Sequence, residues 1–200
     1  MKIKKWEIAL LAAILIAIFV GSVSSRQTEL SENLIRLHVV ANSDSEEDQA
    51  LKLSVRDGIL EELEEILKGC NDKAEAEALI SRNIDALTQA ASEAIFEKGE
   101  YFTVTASITE EVFPTVEYDT FTLPAGEYSS LRVVIGEGEG QNWWCVVFPP
   151  LCLSIAEDTL SYEEMGLSDE TFSIISEESG GYVVKFKLLE WISQIKLWFD

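Results

Sequence analysis

Gly99 divides this chain between two kinds of periodicity, and only a fold with both a helical layer and a sheet satisfies both. Before it, apolar residues recur at intervals close to a helical turn: Leu51, Val55, Ile59, Leu63 and Ile66, then Leu79, Ile84, Leu87, Ala91 and Ile95. That spacing puts each set on one face of a helix. After it, Phe102, Val104, Ala106 and Ile108 alternate with threonine and serine, the period-two pattern of a strand.

The boundaries follow from local chemistry. Asn33 to Ala41 reads as a strand in which Ile35, Leu37, Val39 and Ala41 alternate with Leu34, Arg36, His38 and Val40. His38 is expected partly exposed at a strand end. Asn42-Ser43-Asp44-Ser45 is turn chemistry, and Ser45 caps a helix whose first turn carries Glu46, Glu47 and Asp48. That helix runs to about Leu67, and Lys68-Gly69 ends it. Asp72 caps a second helix, read as continuous to about Glu97. Tyr101 to Ile108 and Thr115 to Leu123 read as strands. Pro124 to Glu127 reads as a turn, and Leu131 to Ile135 as the next strand. Gly136 to Gly140 reads as a flexible hairpin, with Asn142 to Phe148 as a strand apolar on both faces, which suits a central position. On that strand Trp143, Cys145 and Val147 share one face, and Trp144, Val146 and Phe148 the other. Residues 153–181 read as an acidic surface excursion, Tyr182 to Lys187 as a last strand and Leu188 to Phe199 as a last helix. The expected fold class is α+β: a mixed or mostly antiparallel sheet packed by two long helices and a C-terminal helix.

In front of this domain stands an export signature. Lys2, Lys4 and Lys5 precede an unbroken apolar run from Ile8 to Val20, and Gly21 to Ser25 are small or uncharged. Val23-Ser24-Ser25 and Val20-Gly21-Ser22 are alternative cleavage sites. The 18 uncharged residues from Ile8 to Ser25 also approach the ~20 needed to span a bilayer, so an uncleaved anchor stays open. Either way residues 1–25 are a signal peptide or membrane anchor, and residues 26–200 are one extracytoplasmic domain.

Charge narrows the function classes. The chain has 15 basic and 36 acidic residues; without Lys2, Lys4, Lys5 and Glu7, 12 and 35 remain, a net −23 for residues 26–200. Such a field repels phosphate backbones and disfavours nucleic acid as a partner, so none is expected. Three cysteines allow at most one internal disulfide. Cys145 and Cys152 flank Pro149-Pro150, where a reversal would bring them within bridging distance; two buried free thiols are the alternative.

No catalytic, metal or cofactor set is legible. His38, the single histidine, would need Cys145 or Cys152 as nucleophile to make an envelope or cell-wall hydrolase, and no spacing supports that pairing. The oxygen-rich run from Asn42 fails the calcium-loop pattern, with Glu47 where glycine is needed and Leu53 where glutamate is needed. Trp143-Trp144 is either core packing or a partner anchor.

Two blocks carry a resemblance. Leu34 to Leu60 reads LIRLHVVANSDSEEDQALKLSVRDGIL, and Leu123 to Cys152 reads LPAGEYSSLRVVIGEGEGQNWWCVVFPPLC. With an export segment in front, the chain resembles the stage II sporulation protein R family of spore-forming Gram-positive bacteria. That resemblance implies a non-enzymatic signal without cofactors, secreted across the forespore membrane into the intermembrane space. There it would activate a membrane-embedded aspartic protease that processes the pro-sigma-E factor in the mother cell. The resemblance brings no catalytic residues with it. It implies that Arg36, His38, Asn42, Ser43, Asp44, Trp143, Trp144, Cys145 and Cys152 serve partner contact or fold integrity.

Overall fold

The computed structural model describes residues 30–118 and 121–151, together with Leu10 and Ile14. The export segment apart from those two positions, Cys152, residues 153–181 and the strand and helix read beyond them lie outside the described residues. Among the described residues no helix is long and apolar enough to cross a membrane.

The described part is α+β. β1 (Ile35–Val40) is followed by α1 (Glu46–Ile66), α2 (Lys73–Arg82) and α3 (Ile84–Glu97). Then come β2 (Val104–Phe113), β3 (Val116–Glu117), β4 (Thr122–Leu123), β5 (Gly126–Ile135) and β6 (Asn142–Phe148). Four strands form one mixed sheet in the order β2-β5-β1-β6, while β3 and β4 pair separately. β1 runs parallel to β5 and antiparallel to β6; β2 is antiparallel to β5.

The helices start where the caps place them. Ser45 is extended and its Oγ accepts from the Asp48 N–H at 3.1 Å. Asp72 does the same for Glu75 at 2.8 Å. Leu51, Val55, Ile59 and Leu63 are the buried stripe of α1, and Leu87, Ala91 and Ile95 that of α3. Both lie on Ile35, Leu37, Val39, Leu131 and Val133 of the sheet. A full-sized aliphatic side chain buried this way contributes roughly 1.5–3 kcal/mol. Gly58 lets the helices approach closely: a Cβ there would meet Ala90 O at 3.4 Å and Ala94 Cβ at 3.5 Å.

Six expectations need correction. The helix from Asp72 to Glu97 is two helices broken at Asn83. Asn83 bends to φ −107, ψ 19, and its Nδ2 donates to Leu79 O at 2.8 Å. Its backbone N–H is shared between the Leu79 and Ile80 carbonyls, so the side chain competes with helix continuation. The single strand from Thr115 to Leu123 is instead a folded pair, with Val116 opposite Leu123 and Glu117 opposite Thr122. Gly136 to Gly140 is not a hairpin, because β1 lies between β5 and β6; the loop crosses the end of β1. Phe148 joins the cluster of Cys145 and Val147 rather than that of Val146. The register shifts there, Ile35 facing Phe148 while Arg36 faces Val146, so one extra residue on β6 turns Phe148 to the helix side. β6 is also the last strand of the order among the described residues, and β2 runs on to Phe113, five residues past its expected end.

Candidate functional site

Six of the residues singled out from the sequence fall into two clusters: Asn42, Ser43 and Asp44 at the end of β1, and Arg36, His38 and Trp144 on the sheet face away from the helices. At the end of β1, Asn42 holds the glycine loop. Its Oδ1 accepts from the Glu137 N–H at 3.0 Å, and its backbone O accepts from the Glu139 N–H at 3.1 Å. Gly140 N–H adds a bond to Ala41 O at 2.9 Å. Side chains cannot be added to this loop freely. Gly136 sits at φ +57, and a Cβ there would collide with Asn42 Oδ1. A Cβ at Gly140 would collide with the Ser43 carbonyl and stand 2.8 Å from Ala41 Cβ.

Asp48, in the first turn of α1, orients this arrangement. Its Oδ2 accepts from Ser43 Oγ at 2.6 Å and from Asn42 Nδ2 at 2.8 Å. These two bonds, that from Ser43 first, hold the Asp48 carboxyl below the usual aspartate range. Gln49 donates to Ser43 O at 2.8 Å, and Lys52 donates to Gln49 Oε1 at 2.6 Å and to Gln141 O at 3.0 Å. Burial pushes the Lys52 amine below its ordinary value, and the charge of Asp44 acts against that shift. Asp44 itself is exposed. The arrangement is a clamp that fixes the loop before β6 on the start of α1.

The second cluster crosses all four strands. In the register, Arg132, His38 and Trp144 stand side by side on β5, β1 and β6. His38 Nδ1 lies 3.1 Å from Glu111 Oε2, and its Nε2 lies 2.8 Å from Asn142 Oδ1. Arg132 Nη1 donates to Glu111 Oε1 at 2.9 Å. Both ring nitrogens therefore have a side-chain partner. Trp144 lies beside it, ring centroids 5.8 Å apart. His38 is thus partly buried in mid-strand, not at a strand end, and its ring is fully engaged.

Arg36 is next along the same face and is fully buried. Its guanidinium lies 4.1 Å from the Phe113 ring centre and 5.1 Å from that of Tyr128, and its Nη2 donates to Tyr118 Oη at 2.8 Å. Tyr118 in turn donates to Trp144 O at 3.4 Å, so the β3–β4 pair is tied over this face. Burial pushes the Arg36 guanidinium down and the Tyr128 phenol up to about 12, leaving the phenol neutral.

The tryptophan pair is split by the strand. Trp143 packs against the helix-side core beneath Arg56, whose guanidinium is 5.0 Å from its ring centre. Trp144 packs against the opposite cluster. Cys145 is buried on the helix side and disulfide-bonded, while Cys70 is free. His38 and Cys145 therefore face opposite sides of the sheet, which rules out their pairing as base and nucleophile. Among the described residues no group of three or more His, Cys, Asp or Glu is placed to hold a metal ion. A cleft of about 490 Å³ opens between the first turns of α1 and the Lys98–Phe102 segment, lined by Glu47, Leu51, Ser54, Lys98 and Phe102.

Glu111, Arg132, Asn142 and Tyr118 are the partners that sequence reasoning missed. One signal was available for Arg132: it is the single charged residue inside the otherwise apolar run Leu131 to Ile135, as Arg36 is inside Ile35 to Val40.

Comparison with known proteins agrees with the two clamped blocks. The family model of stage II sporulation protein R (spore_II_R) matches residues 31–158. The chain is 31% identical over 189 residues to "Stage II sporulation protein R" of Bacillus subtilis (strain 168), covering 83% of this chain and 83% of that protein. No solved structure matches. The match takes in β1 with its buried Arg36, the Asn42–Asp48 clamp and the whole four-stranded sheet, and on that ground the chain belongs to the stage II sporulation protein R family.

Proposed function

We propose that this protein is the exported forespore signal that activates a membrane-embedded aspartic protease, which then processes pro-sigma-E in the mother cell. Family membership carries this reading. The order of residues 1–25, basic, then apolar, then small, supports delivery across the forespore membrane into the intermembrane space or retention on its outer face. The domain acts without a cofactor and binds the active form of the protease more tightly than the inactive one, since a partner shifts an equilibrium only by its differential affinity. The contact candidates are His38, Asp44, Trp143 and Trp144, the half-buried and exposed members of the sequence set that lie outside the Asn42–Ser43 clamp. Asn42, Ser43 and Arg36 serve fold integrity, and a Cys145–Cys152 bridge would tie the end of β6 to the chain that follows.

The test is an immunoblot for the pro-sigma-E precursor in sporulating cells that lack the gene. Unprocessed precursor is expected to accumulate, and the intact chain is expected to restore processing. Normal processing in the deletion strain overturns the reading. A chain without residues 1–25, retained in the forespore, is expected not to restore it.

A further inference from the structure

Arg36 is a buried cation with incomplete bonding. Only Nη2 has a hydrogen-bond acceptor; Nε and Nη1 are buried without one. Ser130 is directly opposite Arg36 in the β1–β5 register, on the same face, and its Oγ is also buried and unpartnered. The rings of Phe113 and Tyr128 attract the charge but leave those N–H groups without an oxygen. Glu111, the carboxylate bonded in the network of this face, is occupied by His38 and Arg132. No carboxylate among the described residues pairs with Arg36, although buried charges are ordinarily paired and buried donors bonded.

The geometry points to a carboxylate-binding site formed by the Arg36 guanidinium and the Ser130 hydroxyl on the sheet face away from the helices. A carboxylate supplies both what the guanidinium lacks, negative charge, and what the three free groups lack, oxygen. Two sources offer it. One is the chain beyond Leu151, where residues 152–200 hold ten Asp and Glu against three Lys. Leu151 packs against the cluster of Phe113, Tyr128 and Val146, so the chain leaves the described residues beside the site. The other source is a carboxylate of another molecule, for which acetate is the probe.

The test uses the full chain and compares thermal unfolding of the wild type with Arg36→Met at pH 7 and pH 4. If the chain's own carboxylate sits on Arg36, the substitution strands a buried anion and Tm falls by roughly 10 °C at pH 7. At pH 4 the stranded carboxyl takes up a proton and the variant recovers, so the gap narrows by at least half. Acetate then changes nothing. If the carboxylate comes from outside, 50 mM acetate in place of chloride at equal ionic strength raises the Tm of the wild type and not of Arg36→Met. The site is overturned if acetate has no effect and Arg36→Met is at least as stable as the wild type, or is destabilised by the same amount at both pH values. Those results mean that the aromatic rings alone hold the cation. Should Arg36→Met fail to fold, the Arg36 Nε–H resonance of the ¹⁵N-labelled wild type answers the same question. It is expected to move either as pH falls from 5 to 2, through the lowered range of a paired carboxylate, or on adding acetate, and a resonance unmoved by both sinks the proposal.

Discussion

The two faces of the sheet are built on different physics from the same strands. Toward the helices β1 presents Ile35, Leu37 and Val39, all buried among aliphatic side chains of α1 and α3. Toward the other side it presents Arg36 and His38, whose neighbours are Ser130, Arg132, Glu111, Tyr118 and the rings of Phe113, Tyr128 and Trp144. The first face is held by area removed from water, which is non-directional and tolerant of the exact partner. The second is held by hydrogen bonds and charge–ring contacts, which are weak in net terms and costly when one partner is lost. The helix side therefore supplies stability in bulk. The opposite side specifies which residues meet, and it carries both arginines of the four-stranded sheet, Arg36 and Arg132, in a strongly acidic chain.

Substitutions separate these two kinds of contribution. Ile59 is completely buried in the helix-side core, so Ile59→Ala leaves a cavity and is expected to cost about 2–5 kcal/mol. Its mark is a Tm loss that does not vary with salt, and a loss that vanishes in high salt would contradict an apolar role. Tyr118→Phe keeps the ring stacked on Phe121 at 4.5 Å but removes the acceptor for Arg36 Nη2. The expected loss is about 1–3 kcal/mol from the buried donor left behind. Denaturant midpoints measure it, and combining the change with Arg36→Met should cost less than the sum of the two. Full additivity would mean that the 2.8 Å bond contributes nothing. Glu111→Gln, at 13% side-chain exposure, loosens His38 and Arg132 together for roughly 1–2 kcal/mol. A double-mutant cycle with His38→Gln should return a coupling above about 0.5 kcal/mol; zero coupling would dissolve the network.

The same contrast explains what could be read in the sequence. Helix-side residues announced themselves because burial by area needs only the right period: the stripes of α1 and α3, the caps Ser45 and Asp72, and the bounds of β6 all follow from spacing and capping chemistry. The opposite face was legible only as an anomaly. Arg36 and His38 interrupt an apolar alternation, but nothing in local spacing says that Glu111, 73 positions from His38, or Tyr118, 82 positions from Arg36, will meet them. Those pairings are set by the order of strands, which places β5 between β1 and β2. The break at Asn83 and the extra residue opposite Ile35 and Arg36 are equally local failures of a regular period. In the first a side chain competes with the backbone ladder, and in the second one residue of β6 is left over.

Asp48 tests the seam where the two faces end. Its carboxylate accepts from Asn42, Ser43 and the Ser45-capped turn, and these bonds depress its folded-state pKa below that of an unfolded aspartate, about 3.9. A depressed carboxyl contributes stability that is fully present above the unfolded value and is lost as pH falls through the lower folded value. Stability is therefore expected to fall on acidification below about pH 4, with Asp48 one of the groups responsible. Because the carboxyl is only partly buried, solvent screens it and its share is small. Asp48→Asn keeps an oxygen acceptor for the Ser43 hydroxyl but removes the charge. The variant should be slightly less stable at pH 7 and should lose less stability than the wild type between pH 5 and pH 2. Parallel pH profiles for the two proteins would show that the clamp holds the glycine loop through neutral hydrogen bonds alone. Asn42, with its bonds to Glu137 and Glu139, would then be the residue on which the join between β1 and β6 depends.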